Sequence, residues 1–188
     1  MTDLTLQAAL QSGVDALIYA TIKTREVAVP DLLHDLDIPV VLLNCYTPDR
    51  TFPSVLPGEV AGRHLATQTL TAAGHRRIAI ITGEMWMDAA KNRLKGYRQA
   101  LSSAEIPFDP DLVRIGNWQA SAGHEQTMAL LRMADPPTAI FCSNDRMAVG
   151  AYPPVSGKLS AALLFLYLSG GRDRMMVWDI HRNAKLLC

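Results

Sequence analysis

Polar and aromatic side chains are concentrated at the junctions where predicted strands end and predicted helices begin. Arg93, Trp118 and the pair Asn144-Asp145 each follow an apolar strand, and Trp86 lies in the first of these junctions. Arginine offers five N–H donors in a fork, asparagine a donor and an acceptor, and aspartate a carboxylate. Such groups bond vicinal hydroxyls, and indole faces stack on the C–H face of a pyranose, so this inventory is typical of a sugar site.

Each of these residues also has an ordinary structural interpretation. Asp145 stands where a carboxylate commonly caps the following helix, and capping does not exclude ligand contact. Arg93 can be a solvated helix arginine, and Trp118 can be a half-buried anchor of its loop. From the residues alone, both interpretations stay open.

The elements that position these residues alternate between short apolar strands and amphipathic helices. Strands are predicted at 14–20, 38–44, 76–83, within 109–118 and at 137–144, and helices at 4–12, 29–36, 59–73, 89–104 and 121–133. This alternation is typical of parallel sheets covered by helices on both faces, so the fold class is α/β. Ligands of open α/β sheets bind outside the carboxyl ends of the strands, which is where the candidate residues lie.

The helix at 89–104 places Leu94, Tyr97 and Leu101 on one apolar stripe. Arg93 is rotated by about 100° from Leu94, toward the edge of that stripe. We therefore expect Arg93 to be partly solvated and its removal to change folding little.

Motifs for catalysis, cofactors and metals are missing from the sequence. No G-x-G-x-x-G follows a strand, no G-x-S-x-G is present, and the five histidines show no metal-ligand spacing. Ser156-Gly157-Lys158 resembles the end of a phosphate loop but lacks its first glycine and its leading strand. We expect no catalytic residue, no metal and no cofactor, and a protein that is not an enzyme.

Composition sets broad limits. Apolar residues make up 49% and charged residues 19% of the 188 residues, which allows a sizeable core, and the formal net charge is zero. Neither residues 1–152 nor residues 153–188 have the basic density of a nucleic-acid binder. Three distant cysteines predict reduced thiols. With no signal peptide and no apolar run longer than 161–168, we expect a cytoplasmic protein that does not enter a membrane.

Six stretches occur together in a recognisable order. They are "SGVDALIYA", "IPVVLLN", "AGRHLATQTLTAAGHRRIAIITG", "RLKGYRQAL", "DPDLVRIGNWQASAG" and "PTAIFCSNDRMAVGA". Over residues 7–152 the chain thereby resembles the effector-binding region of the LacI/GalR family of bacterial transcription regulators.

This resemblance implies a periplasmic-binding-protein-like type I fold of two lobes, each a parallel sheet flanked by helices, here incomplete. Residues 1–75 would be part of the N-terminal lobe and 76–152 the C-terminal lobe. Pro153-Pro154 breaks the helix that precedes it. Beyond this break, residues 153–188 form an atypical tail without an obvious partner. The tail indicates a change of reading frame or gene structure near Tyr152.

The resemblance also implies roles at the site, in a cleft between the lobes. Arg93 would grip effector hydroxyls, Asn144 would bond the same sugar, Asp145 would support the site and Trp118 would line it. Gly58 departs from the family, which often has aspartate there.

The resulting functional hypothesis is a sugar-responsive regulator without its helix-turn-helix head. Operator DNA would be bound only through that missing head, and the intact protein would be a homodimer. Two alternatives are a free-standing sugar-binding protein of a transport system and a small flavodoxin-like enzyme. The missing signal peptide and the missing cofactor loop argue against them.

Overall fold

The computed structural model describes residues 3–151 and the backbone of three later strands, at 164–168, 175–179 and 182–187. Its contacts divide the chain into two compact units, residues 1–57 and 58–188. Within the described residues, no helix is both long and apolar enough to cross a membrane.

The first unit contains one helix and a three-stranded parallel sheet. Its elements are α1 (Asp3–Gln11), β1 (Leu17–Glu26), β2 (Val40–Tyr46) and β3 (Ser54–Val55), with the strands in the order β1-β2-β3. Gly13 ends α1 with φ of +71°, a conformation that glycine adopts without strain, as predicted.

Two predictions for this unit need correction. β1 continues past residue 20, because an irregularity after Ala20 lets the strand resume pairing at Arg25. The helix expected at 29–36 is a single 3-10 turn, Asp31–Leu33. So short a segment forms too few hydrogen bonds to offset the cost of starting an α-helix.

The second unit is built on a sheet in the order β5-β4-β6-β7-β8-β9. Its elements are α2 (Glu59–Ala72), β4 (Ile78–Thr82), α3 (Asp88–Ser103), β5 (Val113–Ile115), α4 (Ala120–Leu131), β6 (Ala139–Cys142), α5 (Asp145–Ala151), β7 (Leu164–Leu168), β8 (Met175–Asp179) and β9 (Arg182–Leu187). β5, β4, β6 and β7 run parallel. The predicted α/β class is confirmed.

The last strands correct the expectation of a tail without partners. β7 pairs in parallel with β6, and β8 and β9 follow as antiparallel neighbours. The predicted helix break at Pro153-Pro154 lies outside the described residues. The proposed change of reading frame stays a prediction.

The core of the second unit lies on both faces of β4 and β6. Every residue of these two strands is buried, as expected of strands covered by helices on both faces. Tyr97 and Leu101 are buried on one face and Leu94 packs beside them, which confirms the predicted stripe of α3. Helix α4 begins after Gln119, whose side chain makes no capping bond.

A glycine brings α2 and α3 close together. The Cβ of any residue larger than glycine at position 96 would collide with the Val60 carbonyl oxygen of α2. Through this packing α2 belongs to the second unit, whereas the resemblance places it before a lobe boundary at residue 75. The lobe division of the family domain stays a prediction.

We expect Gly96→Ala to destabilise the chain by about 1–3 kcal/mol, because the added methyl forces two backbones apart. Urea denaturation should show this as a lower midpoint. Lys95→Ala, at an exposed position of the same helix, is the matched control and should keep the parent midpoint. Equal midpoints for the two variants would contradict the close contact.

Candidate functional site

Three strand ends meet at one edge of the second sheet. β4, β5 and β6 are parallel neighbours, so the segments after Thr82, Ile115 and Cys142 emerge together. Trp118 and Asn144 lie on two of these segments, and Arg93 lies on α3, the helix that follows the third. The topology thus gathers residues that are far apart in sequence.

Asn144 joins two of the segments with its side-chain amide. Its Oδ1 accepts the Met147 backbone N–H at 2.9 Å, and its Nδ2 donates to the Trp118 carbonyl oxygen at 3.0 Å. The capping group of α5 is therefore Asn144 and not Asp145, for which capping was one of the two interpretations left open. Asp145 is already the first helical residue, where the helix dipole favours its negative charge.

Trp118 is held in a backbone conformation that few residues other than glycine adopt, with φ of +66°. Its indole N–H donates to Met87 Sδ at 3.1 Å. The ring lies against Gly83, and a Cβ at that position would overlap the indole. The missing side chain of Gly83 therefore leaves the room that the tryptophan ring occupies.

Arg93 is fixed from three sides. Its Nε and Nη2 each lie 2.7 Å from a different carboxylate oxygen of Glu59, and its Nη1 donates to the Ser143 carbonyl oxygen. Its guanidinium carbon lies 5.2 Å from the centroid of the Trp118 ring, within range of a cation–π interaction. The side chains of Arg93 and Glu59 are 15% and 5% exposed, so Arg93 is partly solvated as expected, whereas its carboxylate partner is buried. The expectation that removal of Arg93 changes folding little left out this buried partner.

A second arginine approaches the same carboxylate. Arg63 Nη2 lies 3.5 Å from Glu59 Oε2, one helical turn along α2. Burial, and then the charge of Arg93, lower the pKa of Arg63 to about 10, against the opposing effects of Glu59 and Asp145. We call Glu59, Arg63 and Arg93 the arginine–carboxylate cluster.

The structure thus connects three of the five predicted site residues by direct contacts: Arg93, Trp118 and Asn144. Asp145 is exposed and acts on the cluster through its charge at Arg63. Trp86 is 68% exposed on the segment between β4 and α3. That these residues bind a ligand stays a prediction.

Sequence reasoning missed the residues that hold Arg93 in place. Glu59 and Arg63 are four apart on α2, a spacing typical of a solvated surface pair, and nothing in the sequence links them to Arg93. Ser143 acts through its backbone, which has no sequence signal. Only the glycine at position 83, directly after a strand, hinted at a close approach.

Several buried polar atoms at these strand ends are notable. Ser143 Oγ, Thr82 Oγ1 and Glu84 Oε2 have no hydrogen-bond partner among the described residues. Buried polar atoms usually have a partner, so these three are exceptions. No set of three His, Cys, Asp or Glu side chains in the described part of the chain is grouped to hold a metal.

The buried ion pair leads to a testable prediction about the free energy of unfolding. Arg93→Met should lower the free energy of unfolding by about 3–5 kcal/mol, because it leaves the Glu59 charge buried without its main partner. Glu59→Leu should be similarly costly, and the double variant should lose less than the sum of the two. Urea denaturation of all three measures the coupling.

Arg76→Met, which replaces an exposed arginine, is the control and should unfold like the parent. Strictly additive losses in the double variant would show that the two side chains do not interact.

Comparison with known proteins places the chain in a family. Residues 3–161 match the family described as periplasmic binding proteins and sugar-binding domain of the LacI family. The ribose operon repressor of Haemophilus influenzae is 34% identical over 150 residues, covering 80% of this chain and 45% of that repressor.

Two solved structures are similar as well. A regulatory protein of the LacI family from Chloroflexus aggregans has a TM-score of 0.68 and 29% identity, covering 79% of this chain and 53% of that one. The complex of the transcriptional regulator CelR with cellobiose has a TM-score of 0.61 and 29% identity, covering 79% and 46%. The chain thus spans about half the length of the relatives it matches. It belongs to the family of periplasmic binding proteins and LacI-type sugar-binding domains.

Proposed function

We propose that the strand-end site of the second unit binds a sugar effector, and that the chain is the effector-binding part of a transcriptional repressor. Arg93, Trp118, Asn144, Asp145 and Trp86 are the ligand-binding residues. The observation that carries the proposal is the guanidinium of Arg93, fixed beside the face of Trp118.

The donors of Arg93 fit a ligand with neighbouring hydroxyl groups. Three of its five N–H groups are used, two by Glu59 and one by the Ser143 carbonyl oxygen. One N–H group remains on each of Nη1 and Nη2, and we propose that these two point the same way and form a fork of their own. Two adjacent hydroxyl oxygens match such a fork in the same way that a carboxylate does.

The other residues complete the recognition. Asp145 offers an exposed carboxylate that accepts O–H donors, and Asn144 Nδ2 has a second N–H beyond the one given to Trp118. Trp118 and Trp86 supply apolar ring faces for the C–H side of a sugar. The site therefore supports binding rather than catalysis.

The named relatives favour a regulator over the two alternatives. One is the repressor of a ribose operon, and another regulator was solved with cellobiose. Both are transcription regulators, neither an enzyme nor a transport protein. By extension, we propose that the intact protein is a cytoplasmic homodimer whose operator affinity changes when a sugar shifts its effector domain between two states.

Calorimetric titration with D-ribose, D-glucose, D-galactose and cellobiose tests the binding proposal. We expect saturable binding of at least one sugar, weakened about tenfold or more by Asp145→Asn, because a charge-assisted hydrogen bond contributes about 1.5–3 kcal/mol. Asp111→Asn, at an exposed position after a different loop, should bind like the parent.

The proposal fails if the folded parent chain binds none of these sugars. It also fails at Asp145 if the two variants bind equally well. Thermal unfolding of each variant, run in parallel, confirms that a loss of binding is not a loss of fold.

A further inference from the structure

We infer that Glu59 is the positioning residue of this site: its carboxylate holds the Arg93 guanidinium beside Trp118 so that the Nη1/Nη2 fork is presented to the ligand. The inference rests on the proposed sugar-binding function. It assigns to Glu59 a role that its position on a helix outside the strand-end segments does not suggest.

Geometry identifies the edge of the guanidinium that Glu59 occupies. Both carboxylate oxygens lie 2.7 Å from nitrogens of Arg93, one on Nε and the other on Nη2. A two-bond contact of this kind fixes the plane of the guanidinium as well as its position. The Ser143 carbonyl oxygen then fixes the remaining rotation through Nη1.

The carboxylate is itself held in place. Glu59 is in the first turn of α2, where the helix dipole favours a negative charge, and Arg63 forms an ion pair at 3.5 Å with the same Oε2 that accepts from Arg93 Nε. The contact of Gly96 with α2 brings the two helices close enough for this short ion pair. Glu59 is therefore a fixed anchor, and Arg93 is the residue that it orients.

A purely structural ion pair makes different predictions from a positioning pair. A structural pair stabilises the fold, and a variant that keeps the charge and the fold should also keep ligand affinity. A positioning pair requires the carboxylate at its native reach, because a binding group must be held within about 0.5 Å of its productive geometry. Glu59→Asp separates the two, since it keeps the charge but shortens the side chain.

The experiment compares the full 188-residue parent with E59D, E59Q and the control E125Q, which changes an exposed glutamate of α4. Two readouts are taken. The first is the 15N-edited NMR signal of the Arg93 Nε–H without sugar, assigned by its loss in R93K. The second is calorimetric titration with D-ribose and cellobiose.

In the parent and in E125Q, we expect a shifted, slowly exchanging Arg93 Nε–H. In E59Q that signal should move to the free-arginine position, and affinity for the bound sugar should fall about three- to tenfold, the cost of ordering one long side chain on binding. E59D should lower affinity similarly, and its unfolding midpoint should fall less than that of E59Q, because it keeps a negative charge near Arg93.

The inference is overturned if a folded E59D binds sugar as tightly as the parent, or if the Arg93 signal is unchanged in E59Q. Should E59Q not fold, E59D alone decides. A parent chain that binds neither D-ribose nor cellobiose refutes the positioning role as tested, and failure across the wider panel refutes the proposed function. A parent that binds while E59D is unimpaired refutes only the inference.

Discussion

The burial of one ion pair organises the candidate site. At the strand ends, the charge of Arg93 is compensated by the buried carboxylate of Glu59, and α2, which carries Glu59, packs tightly on α3 at Gly96. Removing two charges from water is costly, and only good geometry with further hydrogen bonds offsets that cost. The hydrogen bond that Arg93 donates to the Ser143 carbonyl oxygen and the ion pair of Arg63 with Glu59 supply this support. The site therefore depends jointly on backbone position, helix packing and charge.

The fold class could be predicted from the sequence because strand burial leaves a strong pattern. β4 is apolar up to its last residue, Thr82, and β6 is apolar throughout. Leu94, Tyr97 and Leu101 repeat at helical spacing on α3. The pattern of residues 29–36 predicts a helix, but a local pattern does not include the free-energy cost of starting one. Only the 3-10 turn Asp31–Leu33 forms. The pairing of β7 with β6 was missed because long-range pairing leaves no local signal.

The residues of the candidate site could be predicted from the sequence, but the contacts between them could not. Arg93, Trp118 and Asn144 stand at strand-to-helix junctions, a position that topology makes meaningful. The partner of Arg93 could not be found, because Glu59 lies 34 residues earlier and has the spacing of a surface pair with Arg63. Charged residues are usually on the surface, and sequence patterns reflect that usual location. A buried charge such as that of Glu59 is therefore not predicted from them.

The left-handed backbone conformation of Trp118 has a consequence for ligand binding. A non-glycine residue in this region is strained by about 1–3 kcal/mol and keeps its conformation only when its surroundings enforce it. Here the Asn144 amide, the Met87 sulfur and the close contact with Gly83 all do so. These contacts fix the position of the indole without any ligand. If the proposed sugar stacks on it, the ring is already in place, so selection by shape at this position would precede binding.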